Sequence, residues 1–165
     1  MKNPLVRTAP RSGETPPEER NSSGLWSLEG DRLVSVEDYE DGPAICLVRS
    51  EHVLMMAVDL PPMPSDARRR AALPFAVEDR IAEPLEDVHV ALGDPVGPQT
   101  FLAGAVRHAL MVRWVARLRE AGLDRALLVP DCLALPTPGE RSWSVDLAGE
   151  RAIVRVPDGT GFAVP

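Results

Sequence analysis

Carboxylates crowd one stretch of the chain. Residues 72–92 read "ALPFAVEDRIAEPLEDVHVAL" and carry Glu78, Asp79, Glu83, Glu86 and Asp87, with Asp94 just beyond. Two carboxylates do acid–base work when they share a partly dry cleft that pushes their acidities apart. On a helix, Glu78 and Asp79 point about 100° away from each other. Both fall off the apolar stripe that Leu73, Val77 and Ile81 make at four-residue spacing. That leaves them in water with ordinary acidities. They form a solvated face or a surface for docking another protein, rather than a catalytic pair. Arg68, Arg69 and Arg70 give the same segment a positive start and an acidic end. The helix dipole favours the opposite order, so these charges answer to something outside the helix.

Other chemistries find less support. His52, His89 and His108 are scattered, with no histidine four residues on and no Cys-x-x-Cys, so no zinc site is expected. No Gly-x-Ser-x-Gly elbow occurs. Cys46 and Cys132 sit in apolar runs with nothing beside them to lower a thiol pKa, and read as buried thiols of a reducing compartment. There is no Walker loop and no Gly-x-Gly-x-x-Gly. One candidate for holding an anion is "VPDGTGFAV" (156–164), with Asp158, Gly159, Thr160 and Gly161 at its tip. Glycines there would let backbone N–H groups approach a phosphate, as hairpins of actin-like nucleotide-binding folds do. Asp-Gly is equally a standard hairpin turn, and that simpler reading outweighs the first.

The elements that must hold these residues follow from local pattern. Residues 1–24 contain four prolines and no aromatic residue, and read as a flexible arm in which only residues 5–7 offer a short strand. Strands are expected at 25–28 and 32–36 around a Glu29-Gly30-Asp31 turn. A strand buried on both faces is expected at 44–49, and another at 51–62, stopped by Pro61-Pro62. Ser65 caps a first helix that runs to about Glu83, where Pro84 forbids its continuation. Pro74 inside it removes the bond to the Arg70 carbonyl and should kink or break it, seating Phe75 in the core. Strands at 87–92 and 100–107 come next. The second helix, 108–122, presents Met111, Trp114, Val115, Leu118 and Ala121 on one face and Arg113 and Arg117 on the other, with Gly122 as its left-handed cap. An extended run at 124–136 and strands at 142–147, 151–156 and 162–164 complete the order β-β-β-β-α-β-β-α-β-β-β-β. Strand pairs alternating with single helices give an α/β layer fold with mixed sheets.

Totals bound the function. The 165 residues are 44% hydrophobic, enough for a real core, and carry a net charge of −7. That acidic balance argues against nucleic acid and, more weakly, against anionic lipid surfaces. No run approaches 18 apolar residues and no secretory h-region opens the chain, so a soluble, cytoplasmic protein is expected.

Two blocks carry a family resemblance. "VDLPPMPSDARRRAALPFAVEDRIAEPLEDVHVALG" (58–93) has a strand ending in Leu-Pro-Pro, a helix with Leu-Pro-Phe-x-x-Glu-Asp, acid-rich residues and an Asp-Val-His-Val strand. "MVRWVARLREAGLDRALLVPDCLALP" (111–136) has a helix, a glycine cap and Val-Pro-Asp-x-Leu-Ala-Leu-Pro. Both, in order and spacing, resemble the cytoplasmic domain of type II secretion system protein L, over roughly residues 25–164. The resemblance implies an actin-like, RNase H-related α/β architecture with mixed sheets and two main helices that has lost its nucleotide-handling loops, and no cofactor. It implies a non-enzymatic adaptor that docks the N-terminal domain of the secretion ATPase, protein E, to an inner-membrane platform with proteins M and F, and that self-associates. It divides the chain into the arm (1–24), an actin-like cytoplasmic unit (25–136) and the start of the second actin-like half (137–165). Membrane attachment would come from a C-terminal segment absent from this sequence. From charge and exposure rather than from the family, the partner surface is expected at Glu78, Asp79, Glu83, Glu86 and Asp87, with Arg113 and Arg117. Two rival readings are an actin-like ATPase binding nucleotide at Asp158, Gly159, Thr160 and Gly161, and the related type IV pilus assembly adaptor.

Overall fold

Short apolar alternation makes β1 (Leu25–Glu29) and β2 (Arg32–Glu37), and Gly30, at φ +64°, turns the chain between them. The computed structural model describes residues 23–165, apart from the side chain of Ala148, so residues 1–22 of the proline-rich arm, with the short strand expected at 5–7, lie outside the described residues. β3 (Ile45–Val48) runs parallel to β1, and β7 (Leu127–Pro130) runs parallel to β3, which gives a mixed four-stranded sheet in the order β2-β1-β3-β7. Parallel neighbours require a crossover. Here it is long and contains β4 (Leu54–Asp59), α1 (Asp66–Val77), β5 (Val88–Pro95), β6 (Thr100–Arg107) and α2 (His108–Glu120).

Within that crossover the three strands form an antiparallel sheet ordered β4-β6-β5. α1 covers one of its faces. Leu73 and Val77, one helical turn apart, are buried against Met56, Val58, Leu60, Ala103 and Ala105. α2 serves the first sheet instead, packing Trp114 and Leu118 onto Leu28, Cys46 and Val48. Its end is fixed by a Schellman arrangement. Gly122 has φ +72°, Leu123 N donates to Leu118 O at 2.8 Å and Gly122 N to Arg119 O at 3.0 Å. Leu123 then joins the core beside Leu118. The last strands, β8 (Ser144–Ala148), β9 (Arg151–Arg155) and β10 (Gly161–Val164), form a third, antiparallel sheet ordered β10-β9-β8.

Several expectations need correction. The first helix ends at Val77, not near Glu83; Glu78–Arg80 is a single 3₁₀ turn and Ile81 is extended. Arg80, on that turn, reaches the edge strand β4 and donates Nη1 to the Ala57 carbonyl at 2.7 Å. Ile81 then turns into the α1 core although it is not helical. Pro74 does not break α1, which continues three residues past it. Phe75 is not in the core but 78% exposed. Two residues from both Leu73 and Val77, it points to the opposite side of the helix. On α2 the buried stripe is Trp114 and Leu118 flanked by half-buried Leu110 and Met111, while Val115 and Ala121 lie in solvent. The run at 124–136 is a four-residue strand followed by a 3₁₀ turn at Asp131–Ala134, and the first residues of the expected 51–62 strand belong to a 3₁₀ turn at Ser50–His52.

Candidate functional site

Glu78 and Asp79 stand on the 3₁₀ turn that ends α1, and Glu86 and Asp87 on a second such turn, Leu85–Asp87. All four are exposed, and none makes a salt bridge among the described residues. Glu83 between them is different. Its carboxylate takes Arg107 Nε at 2.7 Å and Nη2 at 2.6 Å. The two arginines of the expected surface are also engaged. Arg113 pairs with Asp31 of the β1–β2 turn at 2.7 Å, and Arg117 with Glu120 at 2.8 Å. The Arg113 guanidinium holds the Asp31 carboxyl below the usual carboxylate range. α2 touches the Leu85–Asp87 turn.

The Asp158 hairpin is closed on itself. Asp158 Oδ1 accepts from Thr160 N at 2.9 Å and Thr160 Oγ1 at 2.7 Å, Gly159 N donates to Val156 O at 3.0 Å, and Val156 N to Thr160 O at 2.9 Å. The amides a phosphate would need at Gly159 and Thr160 are thus spent inside the turn. Packing explains the glycines. Gly159 is at φ +87°, and a Cβ on it would stand 2.8 Å from Val96. A Cβ on Gly161 would stand 2.5 Å from the Val154 carbonyl and 2.7 Å from Cys132 Cβ.

A polar clasp that local sequence patterns did not reveal joins the third sheet to the first. Asp131, directly after β7, accepts from Ser50 N (3.1 Å), Ser50 Oγ (2.5 Å) and Arg151 Nη2 (2.7 Å). Ser50 Oγ accepts in turn from Cys132 N at 3.0 Å. Arg151 also grips Glu51 with Nε and Nη2, each at 2.5 Å, and Arg49 adds a contact to Glu51 at 3.0 Å. The hydrogen bond from Arg151 holds Glu51 down to about 2. The one clue in the sequence was the Pro130-Asp131 step, which stops a strand and opens a turn. Cys132, beside this clasp, and Cys46, in the core under α2, are free and buried, and burial pushes the Cys46 thiol up to about 11 and raises Cys132 as well.

The face of the β4–β6–β5 sheet opposite α1 presents Met55, Ala91 and Gly104 to a cleft of about 700 Å³, whose far wall includes Trp114, Leu128 and Leu133. Of its charged neighbours, Arg155 is committed, donating Nη1 to the Leu133 and Leu135 carbonyls at 3.1 and 2.6 Å. No group of three or more His, Cys, Asp or Glu side chains is placed to hold a metal ion among the described residues. No helix among them is long and apolar enough to cross a membrane.

Comparison with known proteins matches this arrangement to a family. The family model described as type II secretion system (T2SS), protein L, matches residues 26–165. The type II secretion system protein L of Vibrio cholerae serotype O1 is 28% identical over 153 residues, which is 85% of this chain and 37% of that protein. Protein L of Klebsiella pneumoniae is 31% identical over 156 residues, 87% of this chain and 39% of that one. The chain therefore spans less than two-fifths of the length of these relatives. Among solved structures, the cytoplasmic domain of EpsL, an inner membrane component of the type II secretion system of Vibrio cholerae, superimposes with a TM-score of 0.60 at 20% identity, over 85% of this chain and 69% of that one. A PilM–PilN type IV pilus biogenesis complex gives a TM-score of 0.55 at 18% identity, over 73% of this chain and 41% of that chain. At such identities the likeness is one of fold. The chain has the actin-like, mixed-sheet α/β architecture with two main helices.

Proposed function

This chain belongs to the type II secretion system protein L family, and on that premise we propose that it is an adaptor holding a motor ATPase at the inner face of the bacterial inner membrane. The partner is the N-terminal domain of the secretion ATPase, protein E. The platform it serves includes proteins M and F, and attachment to the membrane comes through a further segment of the full protein. The chain acts by presenting a fixed shape and converts no small molecule. Residues 25–136 make one actin-like unit and residues 137–165 open the second half, a division supported by β8, β9 and β10 pairing only with one another among the described strands.

The observation that carries this reading is the row of carboxylates without ion partners, Glu78, Asp79, Glu86 and Asp87. Leu73 and Val77 before the first turn are wholly buried, and Ile81 and Val88, directly after the two turns, pack against the same core, so the backbone beside the carboxylates is held. Charges left unneutralised on a rigid support steer a complementary partner and fix its register. Glu83, Arg113 and Arg117 complete the proposed surface and contribute less, because each already has an internal partner.

Calorimetric titration with the ATPase N-terminal domain tests this. Glu78→Lys with Asp79→Lys, and separately Glu86→Lys with Asp87→Lys, should weaken binding at least about tenfold, and raising salt should weaken the unaltered complex. Binding that both double variants leave intact would remove the acidic turns from the interface. Absence of binding by the unaltered chain would remove the adaptor reading itself. A parallel ATP titration with Asp158→Ala separates the nucleotide-binding rival, which requires binding that this substitution abolishes.

A further inference from the structure

Packing leaves α1 with an outer face of mixed character. At about 100° per residue, Leu73 and Val77 lie on the side of the helix away from Phe75. Both are buried against the β4–β6–β5 sheet, while Phe75 is 78% exposed, the most exposed large hydrophobic side chain among the described residues. One exposed apolar residue is ordinary on a protein surface. The neighbours of Phe75 set it apart. At spacings of three, four and seven residues its face holds Arg68, Ala71, Ala72 and Glu78, the last still at helical angles. The alanines are too short to fold over the ring, so it stands as a knob. Nor can the ring turn inward, because rotating the helix would take Leu73 and Val77 out of the core. α1 lies inside the crossover between β3 and β7, with described chain on both sides, and the last residue, Pro165, lies elsewhere, beside Arg49, Glu51 and His52.

Charge runs along the same strip. Arg68 stands about two turns before Phe75, and Glu78 and Asp79 about one turn after it. All three are exposed, and none makes a salt bridge among the described residues. Neighbouring Arg69 and Arg80 are instead spent inside the fold, on Asp66 and on the Ala57 carbonyl. A cation at the start of a helix and carboxylates at its end oppose the dipole, so this order gains nothing for the helix itself.

We infer that the outer face of α1 seats the docked ATPase domain, with Phe75 as its apolar anchor. The ring enters an apolar pocket of the partner, basic side chains on the rim of that pocket meet Glu78 and Asp79, and an acidic one meets Arg68. This rests on the adaptor reading and adds to it the anchor and the direction in which the partner lies along the helix. Interfaces draw affinity from a few well-packed apolar anchors and register from the charges around them. Acidic turns alone would steer a partner without holding it, whereas a phenylalanine offers on the order of 150 Å² to bury. Little ordering entropy opposes that burial, because the helix beneath is already held by its core face. A partner laid along the strip in reverse would set like charges together, which gives the contact a single orientation.

Calorimetric titration of the chain with the ATPase N-terminal domain, at several salt concentrations, tests this. Phe75→Ala should weaken binding about thirtyfold, by the same factor at low and high salt, and Phe75→Leu should recover most of the loss. Arg68→Glu should weaken binding about fivefold at low salt, an effect that fades at high salt. Alanine and leucine both favour helix and the ring supports no core, so circular dichroism of both Phe75 variants should match that of the unaltered chain. Phe75→Ala binding within about twofold of the unaltered chain would give the ring to another occupant, a second copy or a further stretch of the protein, and overturn the proposal. If Glu78→Lys with Asp79→Lys still weakened binding in that case, the acidic surface would stand without this anchor. Absence of binding by the unaltered chain would overturn the adaptor reading and this inference with it.

Discussion

Asp131 shows how one carboxylate can organise a region without being catalytic. Its two oxygens accept from the Ser50 amide, the Ser50 hydroxyl and Arg151, and its side chain is 13% exposed. Ser50, the one polar residue among the fully buried described residues, is satisfied in both roles, donating to Asp131 and accepting from Cys132 N. Glu51 completes the clasp, and its acidity has a consequence for stability. Arg151 lowers the carboxyl from its ordinary 4.5 to about 2 in the folded chain. A depressed pKa means that the unfolded chain binds the proton more readily, so the contribution is fully present above the ordinary value and is lost as pH falls toward about 2. Urea unfolding at pH 6, 4 and 2.5 should show the unaltered chain more stable than Glu51→Gln at pH 6, with the gap closing toward pH 2.5. A gap independent of pH would mean that Glu51 stabilises by shape rather than charge. Sequence made Asp131 visible through the Val-Pro-Asp segment but not its partners. Glu51 and Arg151 lie 100 positions apart, and no local pattern encodes such a pairing.

Caps were legible at the level of elements because they are local. Ser65 adopts extended angles and accepts from Arg68 N at 3.4 Å, and Gly122 takes the left-handed conformation that releases the chain from α2. The end of α1 was not legible: past Val77 the chain tightens into a 3₁₀ turn, whose Arg80 bonds a carbonyl of β4 23 residues away. The same helix separates a core residue from a decoy. Leu73 is 1% exposed and Phe75 78%, although both were expected in the core. Truncating Leu73 to Ala removes buried methyl groups and leaves a cavity, a cost of about 3 kcal/mol. Phe75→Ala should change stability by less than about 0.5 kcal/mol, as exposed positions do. Urea denaturation followed by circular dichroism compares the two. Equal costs would place Phe75 in the core after all.

At the scale of the whole molecule, two sheets and two helices enclose two apolar cores, and the third sheet is joined to the rest by a seam that combines the polar clasp with the close contacts at Gly159 and Gly161. The first core lies under α2 and the second under α1. Strands β8, β9 and β10 hydrogen-bond into neither of the other sheets. They hold to the body through Arg151, through Arg155, and through Gly161, whose missing Cβ lets β10 close on Cys132. The fold class was readable from the order of elements. This seam was not, because it depends on which side of β9 the two arginines fall, a matter of register. Arg151 is therefore the residue on which the attachment should depend most. Arg151→Ala leaves Asp131 without its cation and Glu51 with only Arg49, and losing one member of a largely buried pair costs about 3 kcal/mol. The loss should also be local. Amides of β8, β9 and β10 should exchange with solvent faster while those of β4 and β6 keep their protection, since the α1 core is untouched. Hydrogen exchange read by mass spectrometry resolves the two regions. Uniform acceleration would mean that the chain opens as a single cooperative unit, and unchanged exchange in β9 would mean that Arg155 and the Gly161 contact hold the third sheet without the clasp.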